Sequence, residues 1–224
     1  MGLNNIYRKF SCLLANACNA QVILLDYSLL PSNPFPIALN QSLKAYKALL
    51  KTIDPASIII AGDSAGGNLA ISTLLAAKEK AICMPAGAVI FSGWLDLTPR
   101  SLNDVRREKK DPFITECHLS QVARVYVPQC IQRDNPLVSP VHGNLKGLPP
   151  LFMQVGTREI LLDDTLLFMK KVQENGVKAH LEINQGLFHV QPILFPKNQN
   201  SHKLIEKVAC FIKEVTNIEN KEFK

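Results

Sequence analysis

Short apolar runs recur along the chain at 21–25, 57–61, 87–91, 151–155 and 178–183. Each is bounded by turn formers or prolines, as strands buried on both faces are. Between and around them lie stretches with helical spacing of apolar positions, at about 4–16, 37–51, 66–80, 163–175 and 202–217. Asp163 and Asp164 stand at the start of the fourth of these, where negative charge suits the helix dipole. Asn175-Gly176 follows its end, the left-handed stop expected there. Strand and helix alternating in this way predict parallel crossover units, hence an α/β sheet with helices on both faces.

The rhythm breaks between residues 93 and 148. That stretch holds Trp94, a charge-rich segment at 104–111, one short helical pattern near 116–126, and prolines at 99, 128, 136 and 140. A structureless loop of this length is improbable inside a compact domain, so a helical cap-like insertion is expected. The predicted organisation is a core made of 1–92 and 149–224, carrying the insertion 93–148. The sequence shows no internal repeats.

With 224 residues, 47% of them hydrophobic, the chain can bury one substantial core. No apolar run approaches the length of a membrane span, and the opening residues do not read as a secretory signal. The six cysteines are scattered without a C-x-x-C pair, which predicts free thiols and a cytoplasmic location. They form no pattern with the histidines, so no metal and no cofactor is expected. The net charge of +6 is distributed among interleaved acidic residues: Arg106, Arg107, Lys109 and Lys110 with Glu108, and Lys203, Lys207, Lys213, Lys221 and Lys224 with Glu206, Glu214, Glu219 and Glu222. That mixture describes a solvated surface, and no nucleic-acid partner is expected.

Chemistry concentrates at residues 62–67, Gly-Asp-Ser-Ala-Gly-Gly, directly after the run 57–61 and ahead of a small-residue helix. This is the pattern of a nucleophile elbow, a strand–turn–helix bend that exposes one serine hydroxyl, here that of Ser64. A serine needs a base to take its proton and an acid to hold that base in the right tautomer. In the serine–acid–histidine order of such sheets, His189 fits the base: it follows the strand pattern 178–183 through a short turn. His118 and His142 fall in the insertion, His180 inside a strand pattern and His202 at the start of a helix. Glu159, Asp163 and Asp164 are candidates for the acid. Glu159 is favoured because it lies at the carboxyl end of 151–155, where the sites of open α/β sheets gather; Asp163 is the runner-up.

These residues, together with Asp26-Tyr27-Ser28-Leu29-Leu30-Pro31, Pro34-Phe35-Pro36, Ser92-Gly93-Trp94-Leu95-Asp96-Leu97, Asp111-Pro112-Phe113 and Gly186-Leu187-Phe188-His189, resemble the hormone-sensitive-lipase-like branch of the α/β-hydrolases, the bacterial family IV esterases. The similarity runs from about Tyr7 to the last helix. It implies a carboxylesterase acting on small acyl esters without a cofactor, through an acyl-enzyme. Ser64 is then the nucleophile, His189 the base and Glu159 the acid, and the Ala65 amide N–H is one oxyanion donor. Relatives of this kind pair through the last strand and helix, which implies a homodimer through 178–183 and 202–217.

Two departures stand out. Ser28 and Ser32 replace an arginine and a glutamate usual in the branch; both members of a pair are lost together, so no orphan charge remains. The branch also carries a His-Gly-Gly-Gly motif whose N–H groups complete the oxyanion hole, and none of the 224 residues forms one. The expectation is an N-terminally truncated hydrolase whose inner strand beside 57–61 is missing. The competing expectation is an inactive remnant, or a binding protein that keeps the fold.

Overall fold

The computed structural model describes residues 4–99 and 111–216. Most of the charge-rich segment 104–111, the residue closing the predicted helix 202–217, and Glu219, Lys221, Glu222 and Lys224 lie outside the described residues.

Four parallel strands form one sheet in chain order: β1 (Ile59–Asp63), β2 (Gly87–Phe91), β3 (Leu151–Gly156) and β4 (Ala179–Asn184). The registers pair Ile59 with Gly87, Ala88 with Leu151, and Leu151 with Ala179. The runs predicted at 57–61, 87–91, 151–155 and 178–183 thus become strands, displaced by a residue or two at their ends. All residues of β2 and β3 are buried, because both strands have neighbours on each side and layers on each face.

The helices are α1 (Asn5–Cys18), α2 (Ile37–Leu49), α3 (Ala65–Glu79), α4 (Glu116–Tyr126), α5 (Leu162–Glu174), α6 (Gln191–Leu194) and α7 (Gln199–Thr216). A sheet that adds strands in one direction through right-handed crossovers must put every crossover on the same face. Accordingly Ala88, Ile90, Leu151 and Met153 pack against α3, α5 and the 93–148 segment. The alternate residues Val89, Phe91 and Phe152 turn to the other face, against Phe10 of α1 and Leu204, Ile205 and Val208 of α7. The side chain of Asn4 caps α1 by accepting from the Ile6 and Tyr7 N–H groups, and Asn19 closes it at φ 47°.

Much of the 93–148 segment enters the core. Leu95, Val141, Leu145 and Leu148 join the cluster around α3 and β3, while Trp94, Leu97, Leu119, Ala123 and Val138 pack with α2 and α3. Helix α4 begins at a threonine cap, Thr115, whose Oγ1 accepts from the His118 N–H.

One predicted strand does not form. Residues 21–25 join no ladder, and Val22, Ile23, Leu24 and Leu25 are all exposed, Ile23 by 58%. β-branched residues supply propensity, but a strand also needs a hydrogen-bonding partner. β1 pairs only with β2 among the described strands, so its second edge is open and nothing ties 21–25 into the sheet.

Candidate active site

Every predicted site residue lies at the carboxyl edge of the sheet. Ser64 follows β1 directly and holds φ 51° and ψ −121°, a conformation that side-chain-bearing residues rarely adopt. Its backbone is pinned on both sides. The Ser64 N–H donates to the Phe91 carbonyl at 2.9 Å, and its carbonyl accepts from the Trp94 N–H at 3.0 Å. The buried Asn68 amide then donates to the Trp94 and Val138 carbonyls, each at 2.8 Å. The bend is therefore fastened to the segment that follows β2. Ala65 is the first residue of α3 and is exposed, so its N–H is among the donors a helix start leaves without an intrahelical partner.

His189 Nε2 lies 2.9 Å from Ser64 Oγ. Its Nδ1 lies 3.1 Å from Glu159 Oε2. His189 is 4% exposed and Glu159 is wholly buried. A buried carboxylate must have its oxygens satisfied. Glu159 Oε1 accepts from the Gly156 N–H at 2.6 Å and from Ser92 Oγ at 2.8 Å, while Oε2 faces the imidazole. The three groups form one hydrogen-bonded line reaching from the interior to the half-buried serine.

The other acids lie elsewhere. Asp164 Oδ2 accepts from the Asp96 N–H at 3.3 Å, and Asp163 sits in the first turn of α5. Of the remaining histidines, His118 and His202 are exposed, His142 lies 3.5 Å from Asp96, and His180 stacks on Phe152.

Two contributors have no role assigned from the sequence. Ser92 supports Glu159, and its Oγ also accepts from the Val190 N–H, so it ties the loops of acid and base together. Its sequence signal is a hydroxyl placed one residue past a fully buried strand, at the edge where sites gather. Ser92 and Val190 adopt φ 49° and 47°. Three of the five described non-glycine residues with positive φ thus meet at this site; backbone strain concentrates where function over-determines geometry. Asp111 is the second contributor. It is buried, and its carboxylate accepts from the Phe113, Ile114 and Ile160 N–H groups. It fastens the segment after β2 to the residue next to Glu159.

Asp63, at the end of β1, accepts from Tyr7 Oη of α1 at 2.9 Å. Burial pushes the Asp63 carboxyl above its ordinary pKa, while the Tyr7 hydrogen bond and the nearby His189 pull it back. Burial, with the neighbouring Asp63, also raises the Tyr7 phenol, which stays protonated and donates. Tyr7→Phe removes that donor and lets the Asp63 pKa rise further. Below both folded values Asp63 is protonated in either protein and the difference fades; above them it is charged and less well satisfied in the variant. The variant is expected to lose about 1–3 kcal/mol at pH 8 and less at pH 4, measured by urea unfolding at both pH values.

Among the described residues, no group of three or more His, Cys, Asp or Glu is placed to hold a metal ion, and no helix is long and apolar enough to cross a membrane.

The sequence profile of a family with the alpha/beta hydrolase fold matches residues 1–192. An esterase of Acinetobacter venetianus is 38% identical over 190 residues, 84% of this chain, which spans 63% of that protein's length. An acetyl-hydrolase of Streptomyces hygroscopicus is 33% identical over 217 residues, 96% of this chain and 72% of its own. A solved esterase from the bacterial hormone-sensitive lipase family superposes with a TM-score of 0.90 at 31% identity, covering 94% of this chain and 71% of its own.

Proposed function

We propose that this chain, which belongs to the alpha/beta hydrolase family in its hormone-sensitive-lipase-like branch, hydrolyses short-chain carboxylic esters with Ser64, His189 and Glu159. The observation that carries the reading is the continuous line Ser64–His189–Glu159, with separations of 2.9 and 3.1 Å. In the attack step, Ser64 Oγ bonds to the ester carbonyl carbon while His189 Nε2 takes the hydroxyl proton. Glu159 holds Nδ1–H and stabilises the imidazolium that forms. Collapse of the tetrahedral intermediate passes that proton to the departing alcohol and leaves an acyl-serine. Water, deprotonated by the same imidazole, then releases the acid and restores Ser64.

The developing oxyanion needs donors, and Ala65 N–H at the positive end of α3 is one. Loss of a single donor from such a hole lowers kcat by about 10²–10³, so the Ala65 N–H bears on turnover more than on nucleophile activation. The segment 93–148 serves in this reading as the insertion that lines the substrate pocket. A second reading, a fold kept without turnover, draws on the edge of β1 beside the nucleophile, which no other described strand pairs.

The decisive experiment treats the folded chain with a fluorophosphonate probe and locates the adduct by peptide mass spectrometry. Labelling at Ser64 that disappears in Ser64→Ala is the expected result. A folded chain that takes up no probe favours the second reading.

A further inference from the structure

The exposed aromatic side chains are not scattered. Among the described large hydrophobic residues with exposed surface, the aromatic ones are Phe113, 46% exposed, and Phe195, 53% exposed. Both pack on the same residue, Phe188. Phe113 lies parallel to Phe188 at 5.6 Å between centroids and 9° between planes. Phe195 meets it edge-on at 6.2 Å and 84°. Phe188 immediately precedes His189 in the chain. The three rings come from three separate places: the inserted segment, the loop of the base, and the residue that closes α6.

Their placement is held by buried groups. The buried Asp111 carboxylate grips the Phe113 N–H on one side and the Ile160 N–H on the other, fixing Phe113 relative to the acid's loop. The Phe188 N–H donates to Gln191 Oε1 at 3.3 Å, fixing the base's loop to α6. One exposed apolar residue needs no explanation, but two exposed rings that both pack on Phe188, the residue before His189, form a patch. One face of Phe113 is covered by Phe188, and the exposure belongs to what remains of the ring.

We infer that Phe113, Phe188 and Phe195 form a binding wall for a planar aryl group of the ester, with Phe113 as the platform on which that group stacks. The inference rests on the ester-hydrolase reading for the bond that is cut, but not for the binding itself. Flat rings stacked in parallel present a further flat face, which suits an aryl ring better than a flexible alkyl chain. The aryl group can belong to the alcohol or to the acyl side of the ester, and the test separates the two.

The test has a binding arm and a kinetic arm. In Ser64→Ala, where nothing can turn over, 2-naphthol is titrated and followed by its fluorescence. Adding Phe113→Ala is expected to weaken binding by about 2–12-fold, the range a stacked aromatic pair supplies. Phe113→Leu, which keeps apolar area without the flat face, should fail to restore it. In the kinetic arm, kcat/KM is measured for 2-naphthyl acetate, ethyl 2-naphthoate and ethyl acetate. Phe113→Ala should reduce the preference for one naphthyl ester over ethyl acetate, through KM, and the ester affected identifies the side. Circular dichroism confirms that each variant is folded. Equal binding in Phe113→Ala, full rescue by leucine, or an unchanged preference overturns the inference. Failure of the fluorophosphonate to label, with naphthol binding that Phe113→Ala weakens as expected, removes the hydrolase reading and leaves the aryl site standing.

Discussion

Glu159→Gln is expected to lower kcat/KM for p-nitrophenyl acetate by about 10⁴-fold while the protein stays folded. The reason is proton placement. Glu159 has no exposed surface, and its two oxygens accept from Gly156 N–H, Ser92 Oγ and His189. An amide has one accepting oxygen and one donating nitrogen. With its oxygen toward Gly156 N–H and Ser92, its NH₂ faces His189 Nδ1 and forces the proton onto Nε2. The base then points a donor at Ser64 and cannot take the hydroxyl proton. The flipped amide instead sets its NH₂ against the Gly156 N–H, donor against donor. Steady-state kinetics with a circular dichroism check decides the matter. A fall of less than tenfold in a folded variant removes Glu159 from the acid's role and reopens the case of Asp163.

The second large effect concerns stability. Gly62→Ala is expected to destabilise by about 3 kcal/mol or more, at the upper end of what overpacking does. A Cβ at position 62 would lie 2.2 Å from the Gly66 carbonyl oxygen, 2.5 Å from its carbon and 2.9 Å from the Gly67 nitrogen. All three are backbone atoms of the first turn of α3, so no side chain can swing aside. Either the helix start moves off β1 or the strand end is pushed outward, and Ser64 lies between them. For a chain of this length each kcal/mol shifts Tm by about 2–4 °C, so a fall of about 6–12 °C in Tm should accompany loss of fluorophosphonate labelling. Gly66→Ala is the internal control. Its nearest neighbours would stand at 3.9 Å, and inside a helix alanine outranks glycine by about 0.8–1 kcal/mol. The two glycines of one motif should therefore respond with opposite signs. Equal responses would show that the close approach of β1 and α3 is not what position 62 protects.

That contrast also shows what the sequence discloses and where it stops. Apolar period and turn residues are local, and β2, β3, α3 and α5 appear near their predicted places because their own residues specify them. Ser64, His189 and Glu159 were legible because each sits just past a strand, and a parallel sheet collects those ends at one edge. Pairing is not local. Residues 21–25 have the composition of a strand, but ladder partners are supplied by other parts of a fold, and none of the described residues pairs with them. The same limit hid Ser92 and Asp111. Their contributions are contacts across 67 and 49 residues, to Glu159 and to the Ile160 N–H, which no spacing reveals. Composition gives the segment 93–148 a charged and proline-rich character, yet Leu95, Val141 and Leu145 are among the most deeply buried of the described residues. A short apolar residue inside a polar stretch reads as incidental until its neighbours are known.

The open edge of β1 has a consequence for how the site breathes. Among the described strands, β2 and β3 are held from both sides, whereas the strand that carries the nucleophile is held from one. Amides in the middle of the sheet should exchange with solvent only through global unfolding, and those of Ile59–Asp63 through smaller openings. Because Ser64 follows Asp63 directly, each such opening also releases the strained turn. The fraction of molecules with an aligned serine is then set by the protection of one edge strand. Anything that adds hydrogen bonds along that edge would raise reactivity without touching a catalytic group.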